Sequence, residues 1–265
     1  MRDRYMDLNL AIVPLLENIA IYLWPFIRVA AFVMVMPVIG GSFVPTPVRA
    51  MLALLLTFVI GPTVQQTTTV EVLSLAGGII VLQEIAIGVA MGFAVQLIFD
   101  AIALGGQVIA MSMGLGFAVF LDRTRGVNIP VLGQLFLMLG MLIFLSLDGH
   151  LALIRMLADS FQLLPIDGPG LTRAAISELL TWSSQVFVVA MKIALPAVTA
   201  LLVVNLSFGV MSRAAPTLNL FAVGFPIAML LGFVVIFLSM GSLTENVSRS
   251  SAAALELLPA LLSTR

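Results

Sequence analysis

Cysteine is absent from this sequence, so neither disulfides nor thiol chemistry can contribute to it. Histidine occurs once, at His150 in Asp148-Gly149-His150, which leaves too few good ligands for a transition-metal site; a hydrogen-bonding or capping role at a helix boundary is expected instead. Charge is also scarce. Only 9% of the 265 residues are Asp, Glu, Lys or Arg, against about 25% in an ordinary soluble domain. The net charge of −1 implies no nucleic-acid partner. No Gly-rich phosphate loop of the Walker type is present, and no cofactor is expected. A cleavable signal peptide is not expected, because the first apolar run is too long, contains Arg28 and lacks a small-residue cleavage pattern.

What the chain has in excess is apolar surface: 61% of residues are hydrophobic and the mean hydropathy is +1.19. A bilayer-crossing helix needs roughly 20 mostly apolar residues, because each advances about 1.5 Å against a core about 30 Å thick. The candidate blocks are Ile19–Ile39, Val48–Val64, Val72–Phe99, Ala101–Phe120, Val131–Leu147, Val186–Val210 and Leu218–Leu243, with an apolar tail from Ala252 to Leu262. These runs are far longer than the roughly 10-residue alternating strands of a membrane barrel, so the predicted fold class is all-α, a polytopic set of helical hairpins.

Orientation does not follow from the arginines. With seven literal crossings, Arg2, Arg4, Arg123, Arg125 and Arg213 fall on one side and Arg49, Arg155, Arg173, Arg249 and Arg265 on the other, a tie. Either the spans differ from these blocks, or the helices pack into surroundings that are partly protein. Arg28, Glu84, Asp100 and Lys192 lie within or at the edges of apolar runs, where a lone ion costs at least about 2.5–3.5 kcal/mol. They are expected to be enclosed against protein or water, paired or snorkelling, with a direct part in transport as the rival reading.

Small residues mark close helix contacts. Gly88 and Gly92 form a GxxxG pair, and Gly106, Ala110 and Gly114 recur every four residues; both patterns suit packing within the chain or against another subunit. Pro196 and Pro226 fall inside apolar blocks and are expected to be buried, where neighbours can satisfy the carbonyls they free. The only long polar interval, Asp148–Gln185, contains Pro165, Gly168, Pro169 and Gly170 as loop signals, and Leu171–Trp182 as an amphipathic helix start. It divides the chain into an N-terminal part (1–150), a connecting loop with an amphipathic helix (151–182) and a C-terminal part (183–265).

The most informative segment runs from Met111 to Pro130, where Met, Gly and Phe lead straight into the charged turn Asp122-Arg123-Thr124-Arg125. Glycines weaken a helix just where the aromatics begin. Two readings fit the composition: a poor helix end with a surface turn, or a loop folded back into protein whose soft Met and Phe side chains fill a channel.

Gly106-Gln107-Val108-Ile109-Ala110-Met111-Ser112-Met113-Gly114-Leu115-Gly116-Phe117-Ala118, followed by Asn128-Ile129-Pro130-Val131-Leu132, resembles the FliR family of flagellar export-gate proteins. So do Leu23-Trp24-Pro25 with Arg28, Asp148-Gly149-His150, Ser212-Arg213-Ala214-Ala215-Pro216-Thr217-Leu218-Asn219-Leu220, and Val223-Gly224-Phe225-Pro226. The resemblance covers nearly the whole chain, with its motifs in order. It implies a non-enzymatic subunit of the type III secretion export gate in the bacterial inner membrane, at the flagellar basal body. Such a subunit forms, with FliP and FliQ, a helical cone through which unfolded rod, hook and filament proteins pass. Much of that cone is implied to sit above the bilayer plane, which would account for the tied charge tally.

The resemblance also implies that residues 1–150 are FliP-like and 183–265 FliQ-like, and that FlhB associates with the cone. Gly114–Gly126 matches the plug loop, with Met113, Phe117 and Phe120 as pore-filling residues and Gly114 and Gly116 giving the loop freedom to move. Arg213 and Asn219 are candidate subunit contacts beside a hairpin-turn role. Two rivals remain: the homologous subunit of a virulence injectisome, and a secondary transporter using Glu84, Asp100 and Lys192 as an ion relay.

Overall fold

A computed structural model describes residues 22–41, 44–64, 74–115, 131–214 and 220–262, the side chains of 220–223 excepted. All regular structure among them is helical. In chain order the helices are α1 (Tyr22–Val35), α2 (Thr46–Ile60), α3 (Leu75–Ser112), α4 (Val131–Ser146), α5 (Gly149–Leu163), α6 (Arg173–Ser183), α7 (Gln185–Ala214), α8 (Leu220–Leu238) and α9 (Met240–Leu262).

Local chemistry sets several of these ends. Pro45 and Pro47 open α2, where a missing N–H costs no helical bond and the fixed φ suits the first turn. Arg49 folds back from that turn, its Nε donating to the Val44 carbonyl at 2.9 Å and Nη2 to that of Gly41 at 2.6 Å. Thr172 caps α6, its hydroxyl accepting from the Ala175 N–H at 3.1 Å.

Several sequence expectations are corrected. The blocks on either side of Asp100 are one helix: α3 runs 38 residues without a break, with Asp100 exposed in its interior. At 1.5 Å per residue α3 is about 57 Å long, nearly twice a hydrocarbon core. Three stretches are long and apolar enough to cross a membrane, Thr46–Thr63, Leu75–Ser112 and Arg173–Ala214, or up to five if two bent helix pairs each count as one; seven separate crossings are not found among the described residues.

The polar interval is also less of a loop than its composition suggested. Helix α5 occupies Gly149–Leu163, with Leu153, Leu157, Ser160 and Phe161 buried at helical spacing. Near the C-terminus, the seventh block and the apolar tail resolve into α8 and the amphipathic α9, separated by a 54° bend at Ser239. Pro196 and Pro226 lie inside α7 and α8 but are exposed on the chain, contrary to expectation.

The chain forms two compact units. The first takes the described residues within 1–96, 150–182 and 254–265, the second those within 97–149 and 183–253. In the first, α1 packs on the opening part of α3 through Gly88 and Gly92. A Cβ on Gly88 would run into the Arg28 carbonyl oxygen, and one on Gly92 would lie 3.0 Å from Val35 Cβ. Trp24, Phe32, Ile87, Met91, Leu157 and Phe161 are buried in this unit. Trp182 Nε1 donates to the Ala94 carbonyl at 2.9 Å, fixing the end of α6.

In the second unit the later part of α3 meets α4 and α7. A Cβ on Gly106 would sit 2.8 Å from the Leu132 carbonyl oxygen, and one on Gly105 would sit 3.1 Å from that of Ala190. Phe99 and Phe144 meet edge to face at 5.3 Å.

Candidate functional site

Two constructions stand out, one in each unit. In the first, Arg28 and Glu84 are 0% and 1% exposed. The guanidinium grips the carboxylate bidentately, Nε to Oε2 at 2.7 Å and Nη2 to Oε1 at 2.8 Å. Its remaining donors reach the end of α5: Nη1 to the Ser160 carbonyl at 2.9 Å and hydroxyl at 3.2 Å, and Nη2 to the Leu164 carbonyl at 2.8 Å. The Phe161 ring lies 4.2 Å from the guanidinium carbon. Arg28 thus joins α1 to α3 and to the end of α5, as a second donor to the Ser160 carbonyl beside the Leu164 N–H and as a donor to the Leu164 carbonyl just past the helix.

In the second unit, α3 ends in a Schellman arrangement. The Leu115 N–H donates to the Ala110 carbonyl at 3.0 Å, the Gly114 N–H donates to that of Met111 at 3.1 Å, and Gly114 adopts φ +80. Gly114 is therefore a helix stop, its left-handed backbone being one that other residues enter only at a cost. Gly114, expected to give the loop freedom to move, thus sits in this cap.

Just before it, Met113 is 1% exposed, held in the gap that Gly232 leaves on α8: a Cβ at Gly232 would lie 2.5 Å from Met113 Cε. A Cβ at Gly114 would lie 3.3 Å from the ring of Phe225, also on α8. The residues that begin the Met111–Pro130 segment are thus anchored to α8.

The other candidate residues divide as follows. Gly88 and Gly92 make the α1 contact, Gly106 lies against α4, and Ala110 is buried and provides the cap carbonyl. Arg213 is exposed in the last turn of α7, where a cation complements the helix dipole. Gly116, Phe117, Phe120 and Asn219 lie outside the described residues.

Asp100 and Lys192 are exposed on the chain, open to the water, protein or interface contacts expected of them. Glu84 is committed to Arg28. His150 Nδ1 is buried without a hydrogen-bond partner among the described residues, so the expected bonding role is not made through that nitrogen.

The model of the bacterial export proteins, family 1, matches residues 19–254. The chain belongs to this family. Among similar proteins, the flagellar biosynthetic protein FliR of Escherichia coli (strain K12) is 39% identical over 212 residues, covering 80% of this chain and 81% of that protein. FliR of Pectobacterium carotovorum subsp. carotovorum is 38% identical over 215 residues, covering 81% and 82%, and FliR of Aquifex aeolicus (strain VF5) 30% over 238 residues, covering 88% and 90%.

Sequence reasoning about this family 1 chain missed Gly232, Ser160 and the Leu164 carbonyl. Gly232 carried a signal, recurring with Gly224 and Ala228 every four residues, as Gly106, Ala110 and Gly114 do. The Leu164 carbonyl carried none, because a backbone acceptor has no sequence signature.

Proposed function

We propose that this chain is a subunit of the flagellar type III secretion export gate. With FliP and FliQ it forms the inner-membrane pore for unfolded rod, hook and filament proteins, at the basal body and in contact with FlhB. The observation that carries the reading is the family match over residues 19–254, joined to relatives named as flagellar biosynthetic proteins. Export through such a pore asks for helical scaffolding and a closure. Enzymatic chemistry is not required of the subunit.

Residues 1–150 supply a FliP-like part, 151–182 the connection and 183–265 a FliQ-like part whose α7–α8 pair is a helical hairpin. Gly114–Gly126 acts as the plug. Its support here is the anchored base, since a closing loop works best from a fixed origin, and Met113 held against Gly232 with the Gly114 cap provides one. Met113 then serves as the root of the plug, leaving Phe117 and Phe120 to fill the pore and Gly116 to give the turn its freedom.

Co-expression with the FliP and FliQ proteins of the same organism, followed by native mass spectrometry in detergent, tests the assembly. A discrete complex with this chain present once among several partner copies is expected; recovery of this chain alone, folded and homogeneous, overturns it. Replacing Gly114–Gly126 with a short Gly/Ser linker is expected to keep the complex intact and raise ion conductance across the membrane. Unchanged conductance overturns the plug.

A further inference from the structure

Within the second unit α3 is held in two different ways. Its body is wedged against backbone, since a Cβ would sit 2.8 Å from the Leu132 carbonyl oxygen at Gly106 and 3.1 Å from that of Ala190 at Gly105, approaches that leave α4 and α7 little play. Its end meets α8 through side chains, Met113 in the gap at Gly232 and the Phe225 ring beside Gly114. Neither contact is a hydrogen bond. The joint is made of dispersion and shape, so it can be broken without stranding a polar group.

The gap at Gly232 also depends on the register of α8. A Cβ there would lie 2.5 Å from Met113 Cε, 2.6 Å from Cγ and 2.7 Å from Sδ, too close to the whole thioether. One turn to either side on the same face, Ala228 and Ile236 are buried and carry a Cβ. A slide of α8 by one turn, about 5.4 Å, therefore puts a side chain where Met113 now lies and drives it out.

The same interface has slack one turn away. Ile109, four residues before Met113, and Ile236, four after Gly232, line a cavity of about 10 Å³ together with Phe136, Ser239 and Met240. It lies where α8 breaks: the Ser239 N–H is shared between the Val235 and Ile236 carbonyls at 2.9 and 3.1 Å, and α9 departs at 54°. A helix that ends on a void and a bend shifts at less cost than one packed tightly to its end.

We propose that Met113 and Gly232 form a latch through which α8 holds the plug closed. With Met113 seated, the α3 cap is fixed; a movement of α8 that withdraws Gly232 frees it. This latch rests on the reading of Gly114–Gly126 as the plug, and supplies its control.

The chain has no cysteine, so M113C/G232C places the only two thiols on it. A Cβ at position 232 would lie 2.6 Å from Met113 Cγ, the place a sulfur at 113 would take, which is within reach of a disulfide. In cells that also make the FliP and FliQ proteins, oxidant is expected to form this bond, keep ion conductance at its resting level and stop release of newly made filament protein, with M113C alone as the reference. Reductant should restore release. A bond that does not form, or release that continues across it, overturns the latch.

Unseating should do the opposite. Met113→Ala and Gly232→Leu are each expected to raise the ion conductance of the complex by a factor of roughly 5–150, the usual span of a coupling between two positions. Together they refill the seat from α8 and should bring conductance back toward rest. Native mass spectrometry shows that each complex is intact, and Met113→Ala adds no bulk that could prevent assembly. A pair that leaks as much as the single variants overturns the latch. Replacement of Gly114–Gly126 by the Gly/Ser linker separates the remaining failures. If it leaks while the single variants stay tight, the latch falls and the plug stands; if it too stays tight, the plug falls and takes the latch with it.

Discussion

Arg28 is held by five hydrogen bonds and an aromatic face, whereas Met113 is held by the space that one missing side chain leaves on α8. Both side chains are buried and both join helices distant in sequence, but they respond to change differently. A buried ion pair is all or nothing, because removing one partner strands the other without solvent. A methionine in a glycine-shaped gap is graded, because the thioether is flexible and tolerates partial filling. The first unit is thus pinned by an arrangement with one solution, and the root of the candidate plug by one with several near solutions.

The sharpest way to break this contrast is at Arg28. Arg28→Ala is expected to cost about 3–5 kcal/mol of stability, the usual penalty for leaving one buried partner uncompensated. Thermal unfolding of the detergent-purified complex measures it. Arg28→Met with Glu84→Met should recover most of the loss, since both charges leave together; a double variant as unstable as the single would show that the carbonyls of α5 matter more than the pair.

Gly232→Leu should cost less, about 1–3 kcal/mol for overpacking against Met113. Adding Met113→Ala should return part of it, and strictly additive effects in the double-mutant cycle would dissociate the two residues. Gly114→Ala is expected to lose about 1–2 kcal/mol from the left-handed backbone alone, with Gly114→Asn less affected. A neutral result would mean that the cap is not formed in the assembled protein. The mildest change is Trp182→Phe, which removes one hydrogen bond to Ala94 and should cost about 0.5–1.5 kcal/mol, read from the same melting curves.

The all-helical class was legible because lipid-length apolar runs leave few alternatives. The helix boundaries were less so, and for physical reasons. Asp100 looks like an end because a carboxylate is costly in hydrocarbon, yet a helix of about 57 Å can carry one on an exposed side without breaking. Helix α5 was hidden because Arg155, Asp159 and Ser160 lower the average hydropathy, while the register of Leu153, Leu157 and Phe161 survives.

At the site, Arg28 and Glu84 were visible as unusual residues, but their pairing across 56 positions was not. Gly114 was visible as a glycine near a helix end. Whether a glycine loosens a chain or stops a helix depends on the sign of φ and on which carbonyls its neighbours reach, and composition records neither.

The reach of Arg28 also sets a timetable for making the protein. Its carboxylate partner lies 56 residues downstream and its acceptors on α5 lie 132 and 136 residues downstream. At roughly 5–20 residues per second of synthesis, the last of these emerge on the order of 7–27 s after Arg28 itself. Until Glu84 emerges, roughly 3–11 s after Arg28, the first described helix carries an unanswered cation and has little reason to settle in hydrocarbon. The arginine that later locks the first unit therefore acts early as a delay, keeping α1 from committing before the opening part of α3 exists to receive it.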